Sequence, residues 1–257
     1  MHDALIVLGS GTAVQTADRD NTAFAFQMNE SAILIDCPGS AVLKLLRAGI
    51  DPRRLDAVVI THMHPDHAYG LPSLAHNLRL LGRSAPLPLF VQPGDADRVH
   101  RLLAVFGLDA SADFLQLRPI STDGLTPFWE RGGHQLFARP VDHSTPACAI
   151  RWDLPGGARV VYSSDTRPFE PLAEFGRGAA WFIHEATFSD AEADRARTSG
   201  HSTPSQAGRL ATLAGARRLL MVHLTIEAEV SRWVAEARTT FGGAIHVPDD
   251  GAIYAVG

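Results

Sequence analysis

Cysteine is scarce, with only Cys37 and Cys148 in 257 residues. Two thiols cannot staple a chain of this length, and neither belongs to a Cys-x-x-Cys pair, so disulfide frameworks, zinc fingers and thioredoxin-type redox sites are excluded. Both read as small buried apolar residues. Long hydrophobic runs are also missing: no stretch reaches the roughly 18–20 apolar residues of a membrane span. The opening Met1-His2-Asp3-Ala4 has no basic lead, so a secretory leader is not expected and a cytoplasmic protein is. Basic charge is in deficit, with 23 Lys and Arg against 28 Asp and Glu. A net charge of −5 argues against a general nucleic-acid binder, which concentrates positive charge on one surface. Gly9-Ser10-Gly11 lacks both the full glycine spacing and the Lys-Ser/Thr of a nucleotide loop.

What remains is an ordinary globular composition, 46% hydrophobic and 20% charged, with twelve histidines. The length suits a single domain over 1–257. Strands are expected at 5–8, 23–28 and 32–36, the last two joined by a tight hairpin at Asn29-Glu30. A helix over 40–47 is followed by the stop residue Gly49. A buried strand at 57–60 precedes helices over 71–81 and 95–106. The middle, 114–161, is rich in strands and turns. Further strands are expected at 160–163, 181–184, 218–222 and 252–256, and helices at 204–214 and 227–238. Strands interleaved with helices, and a second half like the first, predict an α/β fold. It is a four-layer αββα sandwich of two mixed β-sheets with helices on the outer faces.

The strand at 57–60 delivers His62-Met63-His64-Pro65-Asp66-His67. His62 and His64 are two apart, which in extended backbone sets both side chains on one face. Asp66 and His67 follow the turn at Pro65 and can aim at a second point nearby. Imidazole and carboxylate are zinc-type ligands, and four of them in six residues is a dense array. One such run cannot complete two metal shells. His143, Asp165 and His223 occupy comparable strand ends and supply the remaining candidates.

These residues, with Asp36, Thr61 and Ser164-Asp165-Thr166, resemble the metallo-β-lactamase superfamily. Within it, Leu8-Gly9-Ser10-Gly11-Thr12, His184-Glu185-Ala186-Thr187-Phe188 and Gly200-His201-Ser202-Thr203 resemble the ribonuclease Z and phosphodiesterase branch. The resemblance implies one metal on His62, His64 and His143 and a second on Asp66, His67 and His223, with Asp165 bridging. Two Zn2+ are expected; Mn2+ or Fe would also suit the donors. It implies catalysis by a hydroxide bridging the metals, with Asp66, His201 and Glu185 as catalytic side chains. His201 is the proton donor and Glu185 orients it. Asp36 and Thr61 are expected to orient ligand histidines. Tyr69, Trp129, Phe169 and Phe188 are candidates to line a pocket, while His2, His76, His100, His134 and His246 read as structural or surface residues.

The resemblance to ribonuclease Z is incomplete. That family places a long RNA-gripping arm between the positions of His143 and Asp165, where only 21 residues lie here. After His223 the chain reads Leu224-Thr225-Ile226-Glu227, without the family's Ser-x-Arg-Tyr. A phosphodiesterase acting on a small phosphate ester is therefore the expectation. A transfer-RNA 3′-processing endonuclease is the alternative, followed by a lactonase or arylsulfatase-type ester hydrolase. A diiron oxidoreductase on the same fold would carry Glu in place of His64 and need a flavin domain. The family also implies a homodimer.

Overall fold

The computed structural model describes residues 3–108 and 114–256, so His2 lies outside the described residues. Contacts divide the chain into two compact units, each built on one seven-stranded sheet.

The first unit contains β1 (Ala4–Gly9), β2 (Ala23–Met28), β3 (Ser31–Ile35), α1 (Ala41–Arg47) and β4 (Leu55–Val59). The one-turn α2 (Pro65–Ala68), α3 (Leu71–Leu80), β5 (Leu87–Val91), α4 (Ala96–Ala104) and β6 (Leu115–Pro119) follow. The C-terminal strand Ile253–Ala255 pairs antiparallel with β1, with Leu5 opposite Tyr254. From β1 to β3 the pairing is antiparallel, and from β3 to β6 it is parallel. The β2–β3 hairpin turns at Asn29, whose φ of 53° is one that asparagine tolerates better than most residues. β1 and β3 are buried on both faces, which is why they read as continuous apolar runs rather than alternating ones. On α3, Leu71, Leu74, Ala75 and Leu78 form the i, i+3, i+4, i+7 stripe that joins the core of this unit.

The second unit contains β7 (Trp129–Arg131), β8 (His134–Pro140), β9 (Cys148–Asp153), β10 (Arg159–Tyr162), α5 (Glu170–Phe175) and β11 (Trp181–Glu185). Then come α6 (Ala193–Ser199), α7 (Pro204–Leu213), β12 (Arg218–Val222), α8 (Val230–Arg238) and β13 (Ala244–His246); the C-terminal strand of the first unit is β14. β7 to β10 are antiparallel, and β10 to β13 parallel. Both sheets thus carry three antiparallel and three parallel pairings, the repeat anticipated from the sequence. One face of this sheet, with Phe182 and Met221, packs on α5, α7 and α8 through Leu172, Leu210 and Trp233. Thr203 starts α7, with the Gln206 side chain accepting its backbone N–H at 2.9 Å.

These are the two mixed sheets with helices that the sequence pattern predicts. The boundaries shift modestly: β4 begins at Leu55 and ends at Val59, and α8 begins at Val230 rather than 227. Both cysteines are free and buried, as expected.

Three residues that follow parallel strands adopt left-handed backbone without being glycine: Asp36 after β3 (φ 59°), Ser164 after β10 (φ 56°) and His223 after β12 (φ 60°). Such conformations are disfavoured and collect where a side chain must be aimed. They break the pleat at the strand end and turn the side chains of Asp36 and His223 into buried polar clusters.

Candidate metal centre

In the first unit the cluster grows from Asp36. Its backbone N–H bonds Val59 O at 2.8 Å, fixing the carboxylate at the end of β3 beside the end of β4. The Thr61 backbone N–H donates to Asp36 Oδ1 at 2.8 Å, and Thr61 Oγ1 lies 3.0 Å from both carboxylate oxygens. His67 Nδ1 donates to Asp36 Oδ2 at 2.8 Å. Burial pushes the Asp36 carboxyl up from its ordinary value, while the charge of His67 and the bonds from His67 and Thr61 pull it down. Burial prevails, so the carboxyl lies above its ordinary value, and the three donors aimed at its two oxygens are what support the carboxylate form against it.

The histidine tautomers follow from this arrangement. The Thr61 hydroxyl has one proton, and that proton goes to Asp36, so Thr61 Oγ1 accepts from His62 Nδ1 at 3.1 Å. His62 Nε2 and His67 Nε2 are left with lone pairs. His62 Nε2 meets His64 Nδ1 at 3.0 Å, and Asp66 Oδ2 lies 3.6 Å from His67 Nε2. The convergence of His62 and His64 is the one anticipated, although residues 61–64 are not part of a strand. Pro65 opens a single helical turn that brings Asp66 and His67 round, anchored by His67 O accepting from Cys37 N at 2.8 Å.

The second unit repeats the device. Glu185, at the end of β11, is wholly buried and accepts from Thr166 N, Thr187 N, Ser202 N and Thr187 Oγ1 at 2.8–3.2 Å. It also accepts from His201 Nδ1 at 2.9 Å. Burial alone would raise the Glu185 carboxyl, but the charge of His201 and its hydrogen bond outweigh it, and the group lies below its ordinary value. The Thr187 proton goes to Glu185, so Thr187 Oγ1 accepts from His223 Nδ1 at 2.8 Å. His143 Nδ1 donates to Gly200 O at 2.8 Å, and burial pushes the His143 imidazole down against the pull of Asp165, which keeps it neutral. The Nε2 atoms of His223 and His143 then face Asp165 Oδ2 at 3.3 and 4.0 Å.

Gly200 is required here. Its φ is +91°, and a Cβ would stand 2.9 Å from His143 Nδ1. His201 follows, stacked on His223 with ring centroids 5.2 Å apart and edge-on to His143 and Phe188. Glu185, His201 and His223 bring donor atoms within 4.8 Å of one another.

These donors fit a divalent cation. Ligands at about 2.0–2.2 Å from one ion stand roughly 3–4 Å apart, the range spanned by the pairs just described. Imidazole nitrogen and carboxylate oxygen are the matching chemistry, and every partner on the far ring nitrogen fixes a metal-binding tautomer.

A sequence profile of the beta-lactamase superfamily domain matches residues 31–224, running from β3 through the residue after His223. The chain belongs to that superfamily. It falls in the ribonuclease Z-like branch and is a metal-dependent hydrolase. Among curated proteins it is similar to "Ribonuclease Z" of Halorubrum lacusprofundi, 29% identical over 297 aligned positions covering 97% of this chain and 96% of the relative. Among solved structures it is similar to the metallo-beta-lactamase fold protein YhfI from Bacillus subtilis, at 25% identity, TM-score 0.86 and 99% coverage of both chains. Human tRNase Z, short form, shares the fold at 20% identity, TM-score 0.80 and 99% coverage of both chains.

Within this superfamily member, all seven predicted ligands lie in the two donor clusters, four in the first unit and three in the second. Asp36 and Thr61 hold His67 and His62, as expected of them. Thr187 had no predicted role, yet it is to His223 what Thr61 is to His62; its place two residues after Glu185 hints at contact with that carboxylate, but no spacing in the sequence ties it to His223. Of the pocket candidates, Tyr69 lines a cavity and Phe188 sits against His201, whereas Phe169 packs on the helix-side core and Trp129 lies on the outermost strand β7. His134 accepts from Trp152 Nε1 at 3.2 Å, and His76 and His100 are exposed, as structural and surface residues would be. Among the described residues, no helix is long and apolar enough to cross a membrane.

Proposed function

We propose that the protein is a ribonuclease Z-type endonuclease, cutting phosphodiester bonds of RNA in the cytoplasm. The observation that carries this reading is the similarity to proteins named Ribonuclease Z, which covers 95–97% of this chain and 93–96% of those relatives. It reverses the preference for a small phosphate ester drawn from the sequence, and lactone and aryl sulfate substrates gain no support.

Two zinc ions are the proposed cofactors. His62, His64 and His143 would hold one, Asp66, His67 and His223 the other, and Asp165 both. When bound, the pair supplies Lewis-acid polarisation of the phosphoryl oxygen and acidifies water near neutral pH. The chain contributes the rest. Asp36 and Thr61, and Glu185 and Thr187, hold the imidazoles in fixed tautomers. His201, oriented through Nδ1 by Glu185, offers Nε2 as the proton donor to the leaving oxygen. Asp66 completes the catalytic set as a ligand carboxylate.

A second reading, a phosphodiesterase of small substrates, is favoured by one observation. β9 and β10 are joined by the turn at 154–158, leaving no room for an inserted arm. The match to the Halorubrum protein likewise spans 297 positions, more than the 257 residues of this chain, so the relative carries segments absent here.

The deciding experiment gives the metal-loaded protein a precursor transfer RNA with a 3′ trailer, cyclic nucleotides and bis-p-nitrophenyl phosphate. Cleavage of the trailer, abolished in Asp165→Ala, is the expected result. Turnover of the small diesters with an intact precursor would overturn the endonuclease in favour of the second reading.

A further inference from the structure

The first unit holds a cavity of about 370 Å³ that none of the chemistry above uses. Its wall includes Met63, His64, Tyr69, Arg98, Arg101 and Leu102. The size falls within the roughly 300–1,000 Å³ of small-ligand pockets. Three features give it a chemical identity.

The first is position. His64 lines the cavity and also converges with His62 at 3.0 Å, so whatever occupies the cavity adjoins the proposed reacting centre. The second is the wall. Tyr69 is 45% exposed despite lying between the buried Ala68 and Gly70, its hydroxyl end resting where Gly39 has no side chain. A half-exposed aromatic ring beside Met63 and Leu102 is a surface on which a flat ring can stack. The third is charge. Arg98 is committed, with Nη1 on Asp95 at 3.0 Å and Nη2 on Met63 O at 3.4 Å. Arg101 is anchored only by Nε on Asp97 O at 3.3 Å, and among the described residues it has no acidic partner. It is a positioned cation facing a mostly apolar pocket in a chain of net charge −5.

An aromatic platform with a neighbouring guanidinium is the equipment that seats one nucleotide of a single strand. We propose that this cavity is a nucleotide subsite, stacking one base of single-stranded RNA on Tyr69 and holding the adjacent backbone phosphate with Arg101. It rests on the ribonuclease reading and adds to it the means by which a chain without an inserted arm grips RNA next to the cut. An apolar side chain of a protein partner would fill the wall but leave Arg101 without an anion.

The test uses the metal-loaded full chain and a fluorescein-labelled tetraribonucleotide, with binding followed by anisotropy across a salt series. Tyr69→Ala and Arg101→Gln are each expected to weaken binding about tenfold, the scale of one lost stacking or phosphate contact. Arg101→Gln should also reduce the slope of log affinity against log salt by about 0.7. Tyr69→Phe, which keeps the ring, should bind like the parent. Circular dichroism and urea unfolding curves that match the parent in all variants report an intact fold. Equal binding by parent and both variants, an unchanged salt slope in Arg101→Gln, or no binding by the parent overturns the subsite. Tyr69- and Arg101-dependent binding by a parent that leaves precursor RNA uncut sustains the subsite and overturns the endonuclease alone.

Discussion

Thr187 Oγ1 stands 2.8 Å from His223 Nδ1, and the same oxygen reaches Glu185 Oε2 at 2.8 Å. The threonine hydroxyl can give only one proton, and a carboxylate can only accept. The imidazole must therefore donate to the threonine and keep its Nε2 lone pair for a cation. Asp36, Thr61 and His62 repeat the arrangement in the other unit.

Replacing Thr187 with valine preserves its volume and removes the acceptor. Metal affinity is expected to fall by about 10–100-fold, the usual effect of losing a partner behind a ligand histidine. Competition with a chelator, followed by metal analysis, measures it, and Thr187→Ser should restore binding. Unchanged affinity would mean that the hydroxyl does not set the ring.

Glu185→Gln leaves one acceptor oxygen where two now serve five donors. His201 loses its fixed orientation and its charge partner. The kcat on precursor RNA, whose alkoxide leaving oxygen needs a proton, is expected to fall by about 100-fold or more, with KM changed much less. An unaltered kcat would remove the Glu185–His201 pair from proton transfer.

Gly200→Ala introduces both a left-handed alanine and a Cβ 2.9 Å from His143 Nδ1. A loss of about 1–2 kcal/mol in unfolding free energy is expected from the backbone alone. The displaced His143 should also lower metal content, so urea denaturation and metal analysis should fall together. Loss of stability with full metal occupancy would separate the turn from the donor.

His184 is fully buried between β-strand neighbours, with Nδ1 donating to Glu185 O at 2.7 Å and its ring stacked near Phe182. Burial pushes this imidazole below its ordinary value of 6.5. The unfolded chain thus takes up a proton below about pH 6.5 that the folded chain refuses. Stability is lost as pH falls through that value and continues to fall down to the lower folded pKa. The slope approaches about 1.4 kcal/mol per pH unit for one proton. His184→Phe should remove that share of the slope in metal-free protein; parallel pH–stability curves for parent and variant would show that His184 is protonated in the folded state.

The first metal cluster was legible because His62, His64, Asp66 and His67 are contiguous, so local spacing is enough. The second was legible only residue by residue at strand ends. The role of Thr187 was hidden because it depends on register: Glu185 pairs with Val222 across the β11–β12 ladder, and only that pairing sets Thr187 beside His223. Several elements gave no clear signal. β5 contains Pro88 and β6 ends in Pro119, residues that argue against a strand. α6 buries only Ala196, so it has no apolar stripe to betray its period.

The pairing of β1 with β14 has a consequence for how the molecule is made. Residues 4–9 leave the ribosome well before residues 251–255, yet among the described residues it is the latter that satisfy their outer edge, where Val7 N bonds Ala252 O and Gly251 N bonds Val7 O. Nearly all of the second unit can be synthesised and folded before that edge closes. Until then β1 presents an apolar strand with unpaired backbone groups, an invitation to pair with another chain. Premature termination a few codons before β14 should therefore yield aggregation rather than a merely shortened enzyme.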